Sequence, residues 1–325
     1  MKARIWGARG SLPVALTHRQ IRARIVAALE GAQGRDLSDR ARIDAYVDNE
    51  LGFEISGTFG GHSSCVEVEV WDPDTSNEHV ILDLGTGVRP LGGAMLARYG
   101  PTRGQTYHVF MSHLHWDHIM GFPFFTPAYI PGNRIIIYGC HAQLETAFRR
   151  QQEPISFPVS FDQLGADISF VRLEPGVPLK LNGLSVTAKL QLHAGDSYGY
   201  RLEHQGRSLV YSTDSEHKLE DTAAREGFVD FFRNADLVIF DAMYSLAESI
   251  SVKADWGHSS NVVGVELCQL AGARTLCLFH HEPIHDDAKI ARVLADTRRY
   301  AEITGEAPLE IVSAYDGMEI DLPAC

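Results

Sequence analysis

The chain has 325 residues, of which 45% are hydrophobic, so it can bury a substantial core. Its formal net charge of -13 argues against a protein whose main task is to grip nucleic acid, because that task needs a basic face. No apolar run near the N-terminus resembles a secretory signal, and no segment is long enough to span a membrane. Five scattered cysteines without a CxxC pair suit a reducing compartment, so we expect a cytoplasmic protein.

In chain order, an opening strand is followed by a helical excursion. Thr17 can cap one helix and Ser38 can cap a second, and each helix carries aliphatic residues on one face. The segment is too small to build much of a core of its own. We therefore interpret residues 14–56 as a helical insertion within one domain that spans residues 1–325.

Apolar runs, alternating or continuous, predict strands along the rest of the chain. These runs are 64–71, 79–84, 107–111, 134–138, 184–192, 198–204, 207–212, 236–240 and 274–279. Helical patterns lie at 141–152, 259–271 and 287–302, and the tail after residue 305 is expected to complete a sheet edge. Paired strands followed by strand–helix alternation, twice over, indicate two sheets packed face to face with helices outside. We predict an α/β fold that forms a four-layer αββα sandwich.

The segment MSHLHWDHIMGF holds the strongest chemical signal. It follows an apolar strand, and residues two apart in extended chain point the same way, so His113 and His115 can share one metal ion. A turn into a helix would swing Asp117 and His118 toward a second ion. Imidazoles with one carboxylate suit zinc, manganese or iron better than calcium or magnesium.

Further metal-ligand candidates stand at the ends of later strands. His193 ends one run, Asp214 ends another, and the doublet of His280 and His281 ends a third. A single histidine at a strand end is more often a surface or capping residue. Together they predict a ligand crevice, because strand termini at one edge of a sheet form the usual binding site of α/β folds.

HLHWDH resembles the HxHxDH signature of the metallo-β-lactamase superfamily, and other segments are similar to its phosphodiesterase branch. That branch includes ribonuclease Z and cyclic-nucleotide phosphodiesterase-like proteins. The matching segments are RIWGARGSLP, GGHSSC, ILDLGTGVRPLG, HAGDSYGYRLE, YSTDSEH, DWGHSS and LFHHEP. The resemblance covers essentially the whole chain except the insertion, and it implies the metallo-β-lactamase fold.

The resemblance also implies a ligand set for two divalent transition-metal ions, with zinc expected and manganese or iron as alternatives. One ion would be held by His113, His115 and His193, the other by Asp117, His118 and His280, with Asp214 bridging the two. His280 fits better than His281, because it directly follows the Leu-Phe of its strand. His62 stands where relatives commonly show Asn, and we interpret it as a spectator.

The expected chemistry is attack of a metal-activated bridging hydroxide on a phosphodiester. Asp117, as a metal ligand, and His258, as proton donor to the leaving oxygen, are the candidate catalytic residues. His258 could be oriented by Asp255 or Asp241. Alternatively, His258 is a structural residue in the cap region at the N-terminus of the following helix.

Three residues are candidates for substrate binding. Ser197 and Tyr198 could offer hydroxyls to a phosphate or a sugar, and Phe124 could stack on a nucleobase. Alternatively, Ser197 and Tyr198 belong to an ordinary alternating strand, and Phe124 packs in the core beneath the site. Tyr200 is expected in the core. Asp83 is expected to support the metal segment through hydrogen bonds.

The sequence favours a hydrolase of small phosphodiesters such as cyclic nucleotides. An RNA-processing nuclease of the ribonuclease Z type is the nearest alternative, although the acidic chain shows no basic arm. Hydrolysis of a lactone, thioester or β-lactam uses the same ions. A non-hydrolytic iron protein or an inactive binding protein is disfavoured, since no electron-donating domain is visible and no ligand position is lost. The insertion could cover the pocket or pair two subunits as a homodimer.

Overall fold

The computed structural model describes residues 1–217, 221–244, 257–305 and 308–322. Within these residues fourteen strands form two sheets of seven strands each. The strands are β1 (Lys2–Gly7), β2 (Cys65–Glu69), β3 (Glu78–Leu82), β4 (Thr106–Phe110), β5 (Arg134–Gly139), β6 (Asp167–Arg172), β7 (Leu179–Leu181), β8 (Leu184–Gln191), β9 (Ser197–His204), β10 (Arg207–Ser212), β11 (Leu237–Asp241), β12 (Thr275–Phe279), β13 (Glu310–Ser313) and β14 (Glu319–Asp321).

The described part of the chain also forms α-helices and short 3-10 turns. The helices are α1 (His18–Gly31), α2 (Arg40–Asn49), α3 (Phe53–Ser56), α4 (Val88–Tyr99), α5 (Trp116–Ile119), α6 (Leu144–Gln151), α7 (Thr222–Phe232), α8 (Asn261–Ala271) and α9 (Asp287–Thr304). None of these described helices has the length and apolar character needed to cross a membrane.

Both sheets are mixed and have similar topologies. The first sheet runs in the order β14-β1-β2-β3-β4-β5-β6 and the second in the order β13-β12-β11-β10-β9-β8-β7. Strands β3 to β6 are parallel to one another, and so are β10 to β13. Parallel strands end at the same edge of their sheet, and the chain leaves that edge repeatedly through loops. These loops supply the candidate site.

Successive side chains of each strand point to opposite faces of its sheet, and the buried apolar residues form three clusters. Val80 and Leu82 of β3 point between the two sheets, whereas Ile81 points outward to the cluster that includes Leu91 of α4. A third cluster joins β11 and β12 to α7 and α8 on the outer face of the second sheet. The predicted four-layer αββα sandwich is therefore confirmed.

Residues 14–56 contain helices α1 to α3, and the Val14 N–H donates to the Gly61 carbonyl oxygen at 2.8 Å. Thr17 caps α1 with a capping box, as predicted. The second cap was predicted one residue early: the side chain of Asp39, not Ser38, accepts from the backbone of α2. A carboxylate and a hydroxyl compete equally well for this position, so adjacent candidates are hard to distinguish from sequence.

The sequence patterns missed β6, β7 and α7. Strands β6 and β7 lie at the outer edges of the two sheets and are only partly buried. The alternation of polar and apolar residues in their sequences is therefore weak. Helix α7 buries mainly three phenylalanines near its C-terminal end. A short apolar run of this kind does not distinguish a helix from a strand.

Candidate metal centre

The predicted ligands converge at one edge of the sandwich. His113 lies just beyond β4, His193 beyond β8, Asp214 beyond β10 and His280 directly after β12. These strands belong to both sheets, and their carboxyl ends face the same crevice. Residues far apart in sequence therefore meet because each follows the end of a strand.

Four overlapping groups of residues could each hold a metal ion, and two of them contain only predicted metal ligands. One group is His113, His115 and His193, and the other is Asp117, His118, Asp214 and His280. Within each group the potential ligand atoms lie within 4.8 Å of one another. Nδ1 of His115 and Nε2 of His193 are 3.2 Å apart, which is a separation suited to two nitrogens around a shared cation.

Asp214 lies between the two groups. Its Oδ1 is 3.1 Å from Nε2 of His118 and 3.2 Å from Nε2 of His280. Its Oδ2 faces the other group, 3.6 Å from Nε2 of His113 and 3.8 Å from Nε2 of His193. One carboxylate thus presents a different oxygen to each group of potential ligands.

Unusual backbone conformations aim two of these side chains. Asp214 has a φ of 48° and His280 a φ of 61°, both in the left-handed region that non-glycine residues seldom occupy. Each residue comes at or just after the end of a parallel strand, where the chain must turn sharply into the crevice. Such strain is concentrated at functional sites in other proteins.

The donor atoms fit a transition-metal ion. Nε2 of His113 and Nε2 of His118 are buried without a hydrogen-bond partner, although buried polar atoms are normally satisfied. Nδ1 of His118 donates to Asp83 at 2.7 Å and Nδ1 of His193 donates to the Gly257 carbonyl at 2.8 Å, which leaves the other nitrogen free to bind metal. Imidazoles and carboxylates are the ligands that zinc, manganese and iron accept.

The electrostatics agree with a site built for cations. Burial alone would raise the pKa of the Asp214 carboxyl, but the surrounding histidines, with His280 the largest contributor, lower it well below its ordinary value. Burial would likewise raise the pKa of Asp117, and its neighbour His118 lowers it strongly. Burial and the neighbouring imidazole of His118 hold the pKa of His113 well below its ordinary value. The carboxylates are therefore charged and His113 is neutral, which are the forms that bind metal. Burial would lower the pKa of His118, but the surrounding carboxylates, with Asp117 the largest contributor, raise it well above its ordinary value, so His118 must lose a proton to bind metal.

Asp83 supports the site through four hydrogen bonds, as predicted from its position after β3. Its carboxylate accepts from Nδ1 of His118, from the backbone N–H and the hydroxyl of Ser112, and from the hydroxyl of Tyr211 at 2.8 Å. Asp83 is fully buried. It therefore fixes the tautomer and the orientation of His118.

Replacement of Asp83 by asparagine should weaken metal binding about 10- to 100-fold, because the amide cannot accept all of these hydrogen bonds. Asn tolerates the left-handed backbone at this position, where φ is 59°. Chelator competition would measure the affinity. Tyr211→Phe is the matched control, since it removes one hydrogen bond to the same carboxylate and leaves His118 in place. An equal loss in both variants would contradict the role of Asp83.

The structure distinguishes the two residues of the histidine doublet. Nε2 of His280 is 3.3 Å from Asp117 Oδ2, inside the second group. His281 points away, and its Nε2 donates to the Ala314 carbonyl at 2.9 Å. Burial lowers the pKa of His281 to about 3, so it is a neutral structural residue.

His258 completes the other two groups, one with His193 and Asp214 and one with Asp241 and His280. Its ring is 5.1 Å from that of His193 and stacks on that of His280 at 5.2 Å. Nδ1 of His258 donates to Asp241 Oδ2 at 2.8 Å. Burial would lower the pKa of His258, but Asp241 outweighs it and raises that pKa to about 9. Asp241 is therefore the carboxylate that orients His258, and the alternative, Asp255, lies outside the described residues.

Backbone groups from two loops complete the site, and the sequence analysis did not single them out. The Ser11 N–H donates to Asp117 Oδ2 at 2.8 Å. A side chain at Gly10 would collide with the His280 ring, and one at Gly257 would collide with His193. The glycines of RIWGARGSLP and DWGHSS were visible signals of close backbone approach.

The three predicted substrate contacts have different environments. Ser197 is fully buried, and its hydroxyl donates to the Thr213 carbonyl at 3.3 Å, so in this conformation it supports the strand ends. Tyr198 is nearly buried, with its ring against His141. Phe124 is 55% exposed and contacts Phe157 edge to face. Of the three, only Phe124 presents a large accessible surface.

Two other predicted residues lie apart from the ligand groups. Tyr200 is in the core, as expected, and its hydroxyl donates to the Met111 carbonyl at 2.7 Å. His62 pairs with the Thr86 hydroxyl at 3.2 Å and belongs to neither group. This position agrees with a spectator role.

The fold and the cluster of histidines and aspartates define a metal-dependent hydrolase of the metallo-β-lactamase fold. Residues 79–281 match the family described as "Beta-lactamase superfamily domain". The match covers more than half of the chain, and the chain belongs to this superfamily.

Individual relatives agree with this assignment. Ribonuclease Z of Geobacillus kaustophilus is 23% identical over 244 residues, which cover 59% of this chain and 75% of that protein. Zn²⁺-bound PqqB from Methylobacterium extorquens has a TM-score of 0.62 at 15% identity, over 99% of this chain and 100% of that one. Yeast PDE1 has a TM-score of 0.60 at 13% identity, over 79% and 94% of the two chains. These structures share the fold of this chain.

Proposed function

We propose that the protein is a dinuclear metal-dependent phosphodiesterase that acts on small phosphodiesters such as cyclic nucleotides. The observation that carries the proposal is the position of Asp214, whose two oxygens face two separate groups of candidate ligands. Zinc is the expected ion, with manganese or iron as alternatives that the same donors accept. Divalent ions at these positions would act as Lewis acids toward a phosphodiester oxygen and the attacking water.

Two residues of the chain, Asp241 and His258, would supply a proton to the leaving group. Asp241 holds His258 by a hydrogen bond to Nδ1, so Nε2 carries the exchangeable proton on the side away from Asp241. The ring contacts with His193 and His280 keep His258 at the edge of the metal groups. His258 would protonate the leaving oxygen, because an alkoxide is a poor leaving group.

The accessible surface near the candidate ligands favours a small substrate. His115 is exposed and His193 is half-buried, whereas the other ligands are buried, so the substrate approaches from their side. The net charge of -13 disfavours binding to a long RNA backbone, although ribonuclease Z relatives keep an RNA substrate as the second candidate. Hydrolysis of a lactone, thioester or β-lactam uses the same ions and is the third candidate.

We also infer a cytoplasmic location. Cys65, Cys140, Cys268 and Cys277 are buried and unpaired, which suits a reducing compartment. Cell fractionation would test this inference, and recovery of the protein outside the cytoplasm would contradict it.

The function is tested by metal analysis followed by assays on bis-(p-nitrophenyl) phosphate, a panel of cyclic nucleotides and a precursor tRNA. We expect about two ions per chain and turnover of the first two substrates. Removal of metal by a chelator should abolish turnover, and zinc or manganese should restore it. Cleavage of tRNA alone would favour the nuclease, and turnover of esters or lactones alone would overturn the proposal.

Phe124 offers a test of the substrate class. Phe124→Ala should raise KM for a cyclic nucleotide about 5- to 100-fold, because stacking of one base on an aromatic ring contributes about 1–3 kcal/mol. Phe124→Leu keeps an apolar side chain without the aromatic face and should show most of the same loss. Phe124→Tyr keeps the aromatic face and should retain the wild-type KM. Equal KM values for all four proteins would exclude stacking at this position.

A further inference from the structure

His258 lies on a short segment whose two neighbouring residues are each tied to a loop of the metal centre. On one side, the Gly257 carbonyl accepts a hydrogen bond from Nδ1 of His193 at 2.8 Å. On the other side, the Ser259 hydroxyl donates to the carbonyl of Ser215, in the loop after β10, at 2.6 Å. The backbone of His258 is therefore held between two of the loops that follow strand ends.

The side chain of His217 directs the hydroxyl of Ser259. Nδ1 of His217 is 2.7 Å from Ser259 Oγ, and the backbone N–H of His217 donates to the same oxygen at 3.2 Å. A serine hydroxyl has one hydrogen, and that of Ser259 is used on the Ser215 carbonyl. Nδ1 of His217 must therefore be the donor and Oγ of Ser259 the acceptor. Nε2 of His217 is then free to accept from the Ser215 hydroxyl, which lies 3.4 Å away.

The surroundings of His217 favour this single arrangement. Its ring is 4.3 Å from that of Phe228 and 5.0 Å from that of Phe240, and the residue is buried. Burial lowers the pKa of His217 to about 4, so the imidazole is neutral near neutral pH. A close-packed aromatic environment also restricts rotation of the ring. His217 therefore presents one fixed N–H donor to Ser259.

The contacts of His217 point to the proton donor rather than to a metal ion. His217 belongs to none of the groups that could hold a metal, whereas its partner Ser259 directly follows His258. Asp241 closes the network, because its Oδ2 accepts from both Nδ1 of His258 at 2.8 Å and the Ser215 N–H at 3.2 Å. The side chain and the backbone of the proton donor are thus bonded to the same small cluster.

We propose that His217 and Ser259 are positioning residues for the proton donor His258. The inference rests on the proposed function, which gives His258 its role. Asp241 orients the ring of His258, and the bond between His217 and Ser259 fixes the backbone from which that ring extends. A general acid must lie within hydrogen-bond reach of the leaving oxygen, and a displacement of about 1 Å can cost a factor of about 100 in rate.

Turnover of two substrates by Ser259→Ala and by His217→Phe tests the proposal. Each variant removes one partner of the hydrogen bond, and phenylalanine keeps an aromatic ring in place of the imidazole. Turnover of a cyclic nucleotide should fall about 10- to 100-fold, because its alkoxide leaving group needs a correctly placed proton. Turnover of bis-(p-nitrophenyl) phosphate should fall much less, since its leaving group departs without a proton. Metal content should remain that of wild type.

Ser260→Ala is the matched control. Ser260 is the adjacent serine, is similarly buried, and its hydroxyl accepts from the Val263 N–H as the cap of α8. Its replacement should lower the melting temperature, because a helix cap is lost, but should leave the ratio of the two turnover rates unchanged. The same unchanged ratio in Ser259→Ala would show that Ser259 has only a structural role.

A double variant tests whether the two residues act through one hydrogen bond. Ser259→Ala/His217→Phe should impair turnover of the cyclic nucleotide no more than the more severe single variant, because both changes remove the same interaction. Multiplied losses in the double variant, an equal loss with both substrates, or loss of metal from Ser259→Ala would overturn the proposal.

His258→Ala separates a failure of this proposal from a failure of the proposed function. If His258→Ala impairs the cyclic nucleotide selectively and the variants of Ser259 and His217 do not, only the positioning role is wrong. If His258→Ala shows no such selectivity, His258 is not the proton donor, and both proposals fail.

Discussion

Replacement of Asp214 by alanine should lower phosphodiesterase turnover about 1,000-fold or more, since loss of metal-based charge stabilisation costs several kcal/mol in the transition state. Asp214 is the residue that faces both candidate ligand groups, so its loss affects both sites. We expect the metal content, measured by mass spectrometry of the purified protein, to fall from about two ions per chain to one or fewer.

Asp196→Asn is the control for this experiment. Asp196 is an exposed carboxylate on the same edge of the sandwich, and asparagine tolerates its left-handed backbone, where φ is 58°. This variant should keep its metal and its turnover. Retention of two ions and near-normal turnover in Asp214→Ala would contradict a bridging role.

Replacement of His258 by alanine should lower turnover of a cyclic nucleotide about 100- to 10,000-fold, the range expected for loss of a general acid. Metal content should stay that of wild type, because the two groups of predicted ligands keep all their members and Nδ1 of His258 is bonded to Asp241. Asp241→Asn should also lower turnover, because it removes the carboxylate that orients the His258 ring.

Two substrates with different leaving groups distinguish a catalytic role of His258 from a structural one. The p-nitrophenolate released from bis-(p-nitrophenyl) phosphate leaves readily without a proton, whereas the alkoxide of a cyclic nucleotide does not. His258→Ala should therefore impair the cyclic nucleotide much more than the nitrophenyl ester. An equal loss with both substrates, or a loss of metal, would show that His258 has a different role.

The local part of the site could be predicted from the sequence. His113, His115, Asp117 and His118 lie within a stretch of six residues that follows β4, so they are close together because they are close in the chain. His193, Asp214 and His280 could be predicted as well, because each ends an apolar run and parallel strands of one sheet end at the same edge. The resemblance of HLHWDH to a known signature added the pairing of these residues with two ions.

Other features depended on contacts that no sequence pattern specifies. The hydrogen bond between Asp241 and His258 depends on β11, which ends beside the loop that carries His258. Ser197 is fully buried where β9 begins, and its hydroxyl donates to the Thr213 carbonyl after β10. The periodicity of α1 predicted an amphipathic helix, but the ion pair between Arg24 and Asp287 decided which face turned outward.

The sequence by itself determined which residue types could bind metal and which strand ends they follow. Both can be read locally, from the periodicity of each strand and from the succession of strands along the chain. Only the tertiary structure decided the direction of each side chain. His280 and His281 are adjacent, yet a left-handed backbone turns one into the metal groups and leaves the other on the Ala314 carbonyl. A rotation of this kind is set by the surrounding packing, which joins residues distant in the chain.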